Sequence, residues 1–265
     1  MNWETIDNQA KEWVKEAGER IRSSFHKTLT IHTKSNPNDL VTEMDQEIEQ
    51  FFVKKIKGSY PDHKIIGEEG FGDQLKTLEG IVWMIDPIDG TMNFVHQQRN
   101  FAISLAVYEG GMGKIGIIYD VVHDEMYHAI SGKGAYINNQ PIPALHERTV
   151  KESIIALNAT WVIENPRIDY QLLSSLAKDA RGTRSYGTAA LELVYVATGR
   201  VDAYVSMRLS PWDYAAGAIL VEELGGLVTN LRGEKLDFLS KDSVFAAKPG
   251  LHQEILDKYL KSGNW

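Results

Sequence analysis

Apolar residues near the N-terminus recur at steps of three and four: Trp3, Ile6, Ala10, Val14, Ala17, Ile21 and Phe25. That spacing gathers them on one face of an amphipathic helix. After a polar stretch containing Pro37, a second run of the same period follows: Val41, Met44, Ile48, Phe51, Phe52 and Ile56. It predicts another helix, ended by Gly58 and Pro61. Short strands are expected at 64–66 and 81–85. From Phe101 to Ile137 the pattern becomes a meander. Apolar, β-prone runs at 101–108, 114–119 and 125–130 are separated by Gly110-Gly111 and Val122-His123-Asp124. The first half therefore reads as helices packed on an antiparallel sheet.

Beyond about residue 150 strand and helix patterns alternate. Strands are predicted at 153–157, 201–205, 227–229 and 244–246, and helices at 170–178, 189–197, 211–224 and 251–260. Gly199 and Gly225-Gly226 supply stop signals, and Pro211-Trp212-Asp213 opens the third of these helices. The alternation predicts a parallel or mixed α/β half. With no repeat and no linker, the expected division is 1–149 and 150–265, with a cleft between the halves.

Composition narrows the possible chemistry. The chain has 265 residues, 43% of them hydrophobic, and a net charge of −8 from 28 basic and 36 acidic residues. A surface of that sign repels nucleic acid and anionic membranes unless a local basic patch exists, and none is evident. Cysteine is absent, which removes disulfides, thiolate metal sites and cysteine nucleophiles. No basic leader precedes an apolar segment at the start, and runs such as 81–85 fall far short of the ~20 residues of a membrane span. A soluble cytoplasmic protein is expected.

The most informative stretch is 81–94, I-V-W-M-I-D-P-I-D-G-T-M-N-F. An apolar strand runs into Asp86, Pro87 sets the direction in which the chain leaves the sheet, and Gly90 permits a turn with close approach. Thr91 is placed at the start of the next helix, whose free N–H groups would face the same space as the two carboxylates. Hard cations held by carboxylates, beside a phosphate on backbone N–H groups, satisfy this pattern. The bland alternative is an ordinary Asp-Pro-Gly turn.

Other features carry simpler readings. Asp45 stands three residues after Thr42, a capping-box spacing. Asp213, near a helix start, suits the helix dipole with or without a metal. Gly110-Gly111-Met112-Gly113-Lys114 lacks the spacing of a phosphate loop and reads as a hairpin turn. His123 and His128 have no metal-ligand spacing. Trp3 and Trp13 read as packing residues, Lys34 as a solvated cation, and Arg181, Arg184 and Arg208 as either phosphate-binding or simply solvated.

With these residues in view, the chain resembles the inositol monophosphatase family of Mg²⁺-dependent, Li⁺-sensitive phosphomonoesterases, as a bacterial-type member. The resemblance rests on W-M-I-D-P-I-D-G-T-M-N-F at 83–94, on Trp212-Asp213-Tyr214-Ala215-Ala216-Gly217, and on Glu222-Glu223-Leu224-Gly225-Gly226. Landmarks follow in order: Lys34, Asp39-Leu40-Val41-Thr42, Asp45, Gly67-Glu68-Glu69, Gly132-Lys133-Gly134-Ala135 and Gly187-Thr188-Ala189-Ala190. It implies an α/β fold, a layered αβαβα sandwich of the sugar-phosphatase type.

The resemblance also implies roles. Glu68, Asp86 and the Ile88 carbonyl would hold one Mg²⁺; Asp86, Asp89 and Asp213 would hold a second, and Glu68 would reach a weaker third. Gly90 and Thr91 N–H groups would bind phosphate, with Ala189, Ser206 and Asp213 beside the substrate. Thr91 and Asp45, with Glu68, would orient and deprotonate the attacking water. Charge agrees with this, since two Mg²⁺ neutralise the four carboxylates Glu68, Asp86, Asp89 and Asp213. The implied activity is hydrolysis of small phosphomonoesters, inositol 1-phosphate foremost, by a homodimer with a small phosphorylated metabolite as its partner. Relatives also hydrolyse fructose 1,6-bisphosphate, 3′-phosphoadenosine 5′-phosphate and the 2′-phosphate of NADP, and some bacterial relatives act as RNA or ribosome-biogenesis partners. One departure stands out. The animal enzymes carry a Glu, seven residues before the metal-binding Asp, that accepts hydrogen bonds from inositol hydroxyls; here that residue is Ser206, with Arg208 two residues on.

Overall fold

The structure, a computed structural model, describes residues 1–26, 30–33, 40–166 and 168–265. Lys34 and Asp39 lie outside the described residues. The elements run α1 (Trp3–Ser24), β1 (Ile31–Thr33), β2 (Leu40–Thr42), α2 (Glu43–Ser59), β3 (Lys64–Gly67), β4 (Ile81–Asp89), α3 (Thr91–Gln97), β5 (Ala102–Glu109), β6 (Met112–Asp120), β7 (Glu125–Ile130), β8 (Ala135–Ile137) and β9 (Gln140–Pro141). Then follow β10 (Ile154–Leu157), α4 (Tyr170–Asp179), β11 (Gly182–Arg184), α5 (Ala189–Ala197), β12 (Ala203–Leu209), α6 (Pro211–Glu223), β13 (Leu227–Thr229), β14 (Asp242–Ala247) and α7 (Leu251–Ile255), which passes into a π-helical turn.

Strands β3 to β9 form a seven-stranded sheet in chain order, antiparallel except for the parallel β3–β4 pair. A five-stranded mixed sheet has the order β11-β10-β12-β14-β13, with β10 parallel to β11 and β12 and the other pairs antiparallel. Side chains alternate across each strand, so every strand serves two interiors. Trp83, Ile85, Leu105, Val107 and Ile117 meet α1 and α2. Val82, Met84, Ala106 and Ile118 face the opposite way, against α5 and α6. Across those helices stand Tyr204, Val244 and Ala246, while Val205, Phe245 and Ala247 turn outward toward α4 and α7. The five layers are therefore helix, sheet, helix, sheet, helix, as the sequence implied.

Three local expectations change. Gly58 does not end the second helix; α2 continues to Ser59, because an exposed glycine with ordinary φ costs a helix only about 0.5–1 kcal/mol. Strand β4 does not stop at Asp86 but runs through Pro87 to Asp89. Its neighbour β3 pairs only as far as Ile85, so the missing N–H of Pro87 interrupts no ladder on that side. A bulge against β5 between Asp86 and Asp89 absorbs the extra residue. The small strands β1, β2, β8, β9 and β11 carry too few alternating positions to register as a pattern. Gly110 and Gly111, at φ 57° and 78°, do form the β5–β6 hairpin turn.

Candidate active site

The bulge in β4 aims two carboxylates. Asp86 accepts the Ile88 N–H on Oδ1 at 3.0 Å. Asp89 is held from the other half of the chain: Thr188 Oγ1 and, at 2.7 Å, the Ala190 N–H both donate to its Oδ2. Gly90 follows as the N-cap of α3 with φ 93°, and a Cβ there would stand 3.1 Å from both the Asn100 carbonyl and Thr188. Glycine therefore answers both the left-handed backbone and the tight approach. The Gly90 and Thr91 N–H groups precede or open the first turn of α3, where no earlier carbonyl of the helix can accept them.

Asp45 resolves its two readings by adopting both. It is the third residue of α2, and its Oδ2 accepts the Thr42 N–H at 2.8 Å and the Thr42 hydroxyl at 2.5 Å, closing a capping box. Its Oδ1 accepts the Thr91 hydroxyl at 3.0 Å, and that hydroxyl also lies 3.0 Å from the Ile88 carbonyl oxygen. Asp213 repeats the arrangement on α6, its Oδ2 accepting the Ser210 N–H at 2.8 Å.

Glu68 sits in the turn after β3, its N–H donating to the Ile85 carbonyl at 3.3 Å. The turn is pinned from beneath by Glu49, fully buried in α2, which accepts the N–H groups of Glu69 at 2.6 Å and Phe71 at 2.8 Å. Gly67 makes room for it: a Cβ would come within 2.5–2.7 Å of the Glu49 carboxylate. Sequence reasoning passed over Glu49, although a glutamate amid the buried face of α2 is a detectable anomaly.

Electrostatics ties these groups together. Asp86, 2% exposed, has its carboxyl held well above the usual range by burial and by the charges of Glu68, Asp89 and Asp213. Asp213 is raised by burial, Asp89 and Glu68. Burial pushes Asp89 up to about 6 against the lowering bonds from Thr188 and Ala190, and pushes Asp45 up to about 6 as well. Among the described residues no three acidic or histidine side chains stand in a closed coordination set. The donor chemistry nonetheless fits Mg²⁺: hard carboxylate oxygens, buried and like-charged, with Lys241 near Asp213 the one cation among the groups that act on them.

Beside Asp89 opens a cavity of about 260 Å³ lined by Thr188, Ala189, Glu192, Tyr204, Ser206, Asn158 and Trp161, among others. Ala189 and Ser206 line the same space as Asp89, whereas Arg208 is exposed and does not line it. Thr188, Glu192, Tyr204 and Trp161 went unassigned in the sequence, because their link to Asp89 crosses about a hundred residues. A larger cavity, about 600 Å³, opens at the far end of α6 around Tyr108, Ile219, Glu222, Glu223 and Phe238, and none of Glu68, Asp86, Asp89 and Asp213 lines it. His123 serves Asp120 at 2.8 Å, and Trp13 packs on Trp83 with centroids 6.0 Å apart.

A layered fold with a carboxylate cluster between strand bulge and helix caps defines a phosphomonoesterase class of architecture. The chain belongs to the inositol monophosphatase family, whose model matches residues 2–263. It is 60% identical over 259 residues to the inositol-1-monophosphatase of Bacillus subtilis strain 168, covering 98% of both chains. Among solved structures it resembles SaIMPase-II with inositol monophosphate bound, at TM-score 0.88 and 40% identity, over 97% of this chain and 94% of that one. It also resembles an IMPase/NADP phosphatase complexed with Mg²⁺ and phosphate, at TM-score 0.89 and 28% identity, over 97% and 95%.

Proposed function

We propose that this chain hydrolyses small phosphomonoesters with Mg²⁺, inositol 1-phosphate foremost, and that water attacks phosphorus directly. The observation that carries the reading is the convergence of Glu68, Asp89 and Asp213 on the buried Asp86, whose carboxyl all three raise, next to the N–H groups that open α3. Such repulsion destabilises a fold and is relieved by cations. Glu68, Asp86 and the Ile88 carbonyl would hold one Mg²⁺; Asp86, Asp89 and Asp213 a second, with Glu68 reaching a third. Bound there, Mg²⁺ supplies Lewis-acid polarisation of the phosphoester and neutralises developing charge.

The remaining steps belong to the chain. Gly90 and Thr91 N–H groups bind the phosphoryl oxygens, and Ala189, Ser206 and Asp213 line the leaving-group side. The Thr91 hydroxyl, already 3.0 Å from Asp45 Oδ1, orients the water and passes its proton to Asp45. Resemblance supports Li⁺ inhibition, a homodimer and a cytoplasmic setting. No helix among the described residues is long and apolar enough to cross a membrane.

The test is phosphate release from inositol 1-phosphate, fructose 1,6-bisphosphate, NADP and 3′-phosphoadenosine 5′-phosphate, with Mg²⁺, with EDTA and with added Li⁺. Release from inositol 1-phosphate that EDTA abolishes is expected. Absence of release from all four, with Mg²⁺ shown to bind, overturns the reading.

A further inference from the structure

Helix α2 buries two acids four residues apart, Asp45 and Glu49, so that one face of it presents both toward the site. Asp45 accepts the Thr91 hydroxyl. Glu49 reaches the turn 67–73 instead. Its Oε2 accepts the Glu69 N–H at 2.6 Å, and its Oε1 accepts the Phe71 N–H at 2.8 Å. Glu69 directly follows Glu68, so the first of these bonds is made one residue from a side chain assigned to Mg²⁺.

Three features make the turn depend on that grip. Strand β3 is the outermost of its sheet, so beyond Gly67 the sheet supports the chain on one side, through the 3.3 Å bond from the Glu68 N–H to the Ile85 carbonyl. Phe71, the only large apolar side chain in 67–73, is 40% exposed and contributes little burial. At the far end Asp73 Oδ2 accepts the Ile65 N–H at 2.9 Å and pairs with Lys57 at 3.0 Å, but that ion pair is exposed and worth little. The Glu49 position also demands a carboxylate. Two separate N–H groups need two acceptor oxygens, and glutamine would turn an NH₂ against one of them. Gly67 completes the fit: the three atoms nearest to a Cβ built there are the carboxyl carbon and both oxygens of Glu49, at 2.5, 2.6 and 2.7 Å. Its φ is not in the left-handed region, so the carboxylate, not the backbone, is what bars alanine.

We propose that Glu49 is a positioning residue for Glu68: by clamping the N–H groups of Glu69 and Phe71 it holds the Glu68 carboxylate toward Asp86, and so sets the affinity for Mg²⁺ from outside the coordination sphere. Because Asp45 and Glu49 stand one turn apart on a single helix, α2 then fixes the Thr91 hydroxyl and Glu68 relative to each other. This rests on the Mg²⁺-dependent reading above and adds to it the group that keeps the metal site in shape.

The experiment measures Mg²⁺ binding without substrate, by titration calorimetry and by the Mg²⁺-induced rise in Tm over EDTA, together with kcat for inositol 1-phosphate at saturating Mg²⁺. It compares the parent with Glu49→Gln, Gly67→Ala, Glu49→Ala and the Glu49→Ala/Gly67→Ala double variant. In Glu49→Gln the half-saturating Mg²⁺ rises about tenfold or more, as for other groups that orient a metal ligand, while kcat at saturating Mg²⁺ stays within about threefold. Gly67→Ala keeps the charge and pushes the carboxylate off the turn, so a rise of similar size there separates geometry from lost charge. In the double variant the carboxylate that the new Cβ would meet is gone, and Gly67→Ala adds nothing to the effect of Glu49→Ala. If Glu49→Ala gives no cooperative melt, the affinities of Glu49→Gln and Gly67→Ala carry the test alone. A Mg²⁺-induced rise in Tm equal to the parent's in Glu49→Gln, with both melts lowered alike, makes Glu49 structural and overturns the proposal. Parental Mg²⁺ affinity in Gly67→Ala overturns it too, as does full additivity in the double variant. Failure of the phosphatase reading looks different: the parent then binds Mg²⁺ but releases no phosphate, and the affinity series still decides the role of Glu49.

Discussion

Gly116 lies in β6 where α6 crosses the seven-stranded sheet, and replacing it by alanine tests how Asp213 is placed. A Cβ built at Gly116 stands 2.6 Å from the Ala216 carbonyl oxygen and 3.2 Å from the Ile219 Cβ. Ordinary contact begins at 3.4 Å, so helix and strand must separate by about 0.8 Å. The obstacle is backbone, which no rotamer change can move aside. Overpacking of this kind costs about 1–3 kcal/mol. For a chain of this size that lowers Tm by roughly 2–12 °C at ~2–4 °C per kcal/mol. Because Asp213 is three residues before Ala216 on the same helix, the displacement reaches it directly. A shift approaching 1 Å at this proposed Mg²⁺ ligand should cost about tenfold or more in kcat, measured well below the melting point, with a higher half-saturating Mg²⁺. Gly58→Ala is the control: nothing lies within 4 Å of its Cβ, and it should stabilise α2 by about 0.5–1 kcal/mol without touching activity. If Gly116→Ala melts within about 1 °C of the parent and keeps its Mg²⁺ response, close seating of α6 is not what positions Asp213.

Other outcomes are expected. Thr91→Val removes the hydroxyl between Asp45 and the Ile88 carbonyl and should lower kcat about 10²-fold with KM little changed, while Thr91→Ser restores most of it; equal loss in both variants argues for packing instead. Mg²⁺ at ~100 times its Kd should stabilise the fold by about 2.7 kcal/mol over EDTA, and Asp89→Asn should lose most of that gain; a full Mg²⁺-induced rise in the variant's Tm excludes Asp89 as a ligand. Burial holds His252, bonded to Thr229 at 3.0 Å, down to about 4 from 6.5. The unfolded chain takes up this proton first as pH falls. Stability from this residue is therefore complete above about pH 6.5 and declines toward pH 4, by about 2–3 kcal/mol, in urea melts across that range. His252→Gln should flatten this slope, and an unaltered slope assigns the pH dependence to other groups.

How far the chain could be read in advance depended on how local each interaction is. Period and punctuation placed α5 at 189–197 and β13 at 227–229 with the observed limits, since helix faces and turn glycines are written within a few residues. The continuation of β4 through Pro87 was not legible, because it depends on where β3 stops some twenty residues earlier. Glu49 and Thr188 escaped for the same reason: each acts on a group brought near only by the fold. Asp45 and Asp213 show a subtler limit. The spacing posed a choice between helix capping and chemistry, yet a carboxylate has two oxygens and need not choose. In Asp45 and Asp213 the Oδ2 atom accepts from the capping residue, and in Asp89 it accepts from Thr188 and Ala190. That bond fixes the rotamer, and the rotamer aims the other oxygen. In Asp45 the other oxygen is seen at work, accepting the Thr91 hydroxyl. A capping box at 42–45 and another at 210–213 are therefore the means by which two helices present acids at a set angle, so the structural reading of each residue is a precondition of the catalytic one.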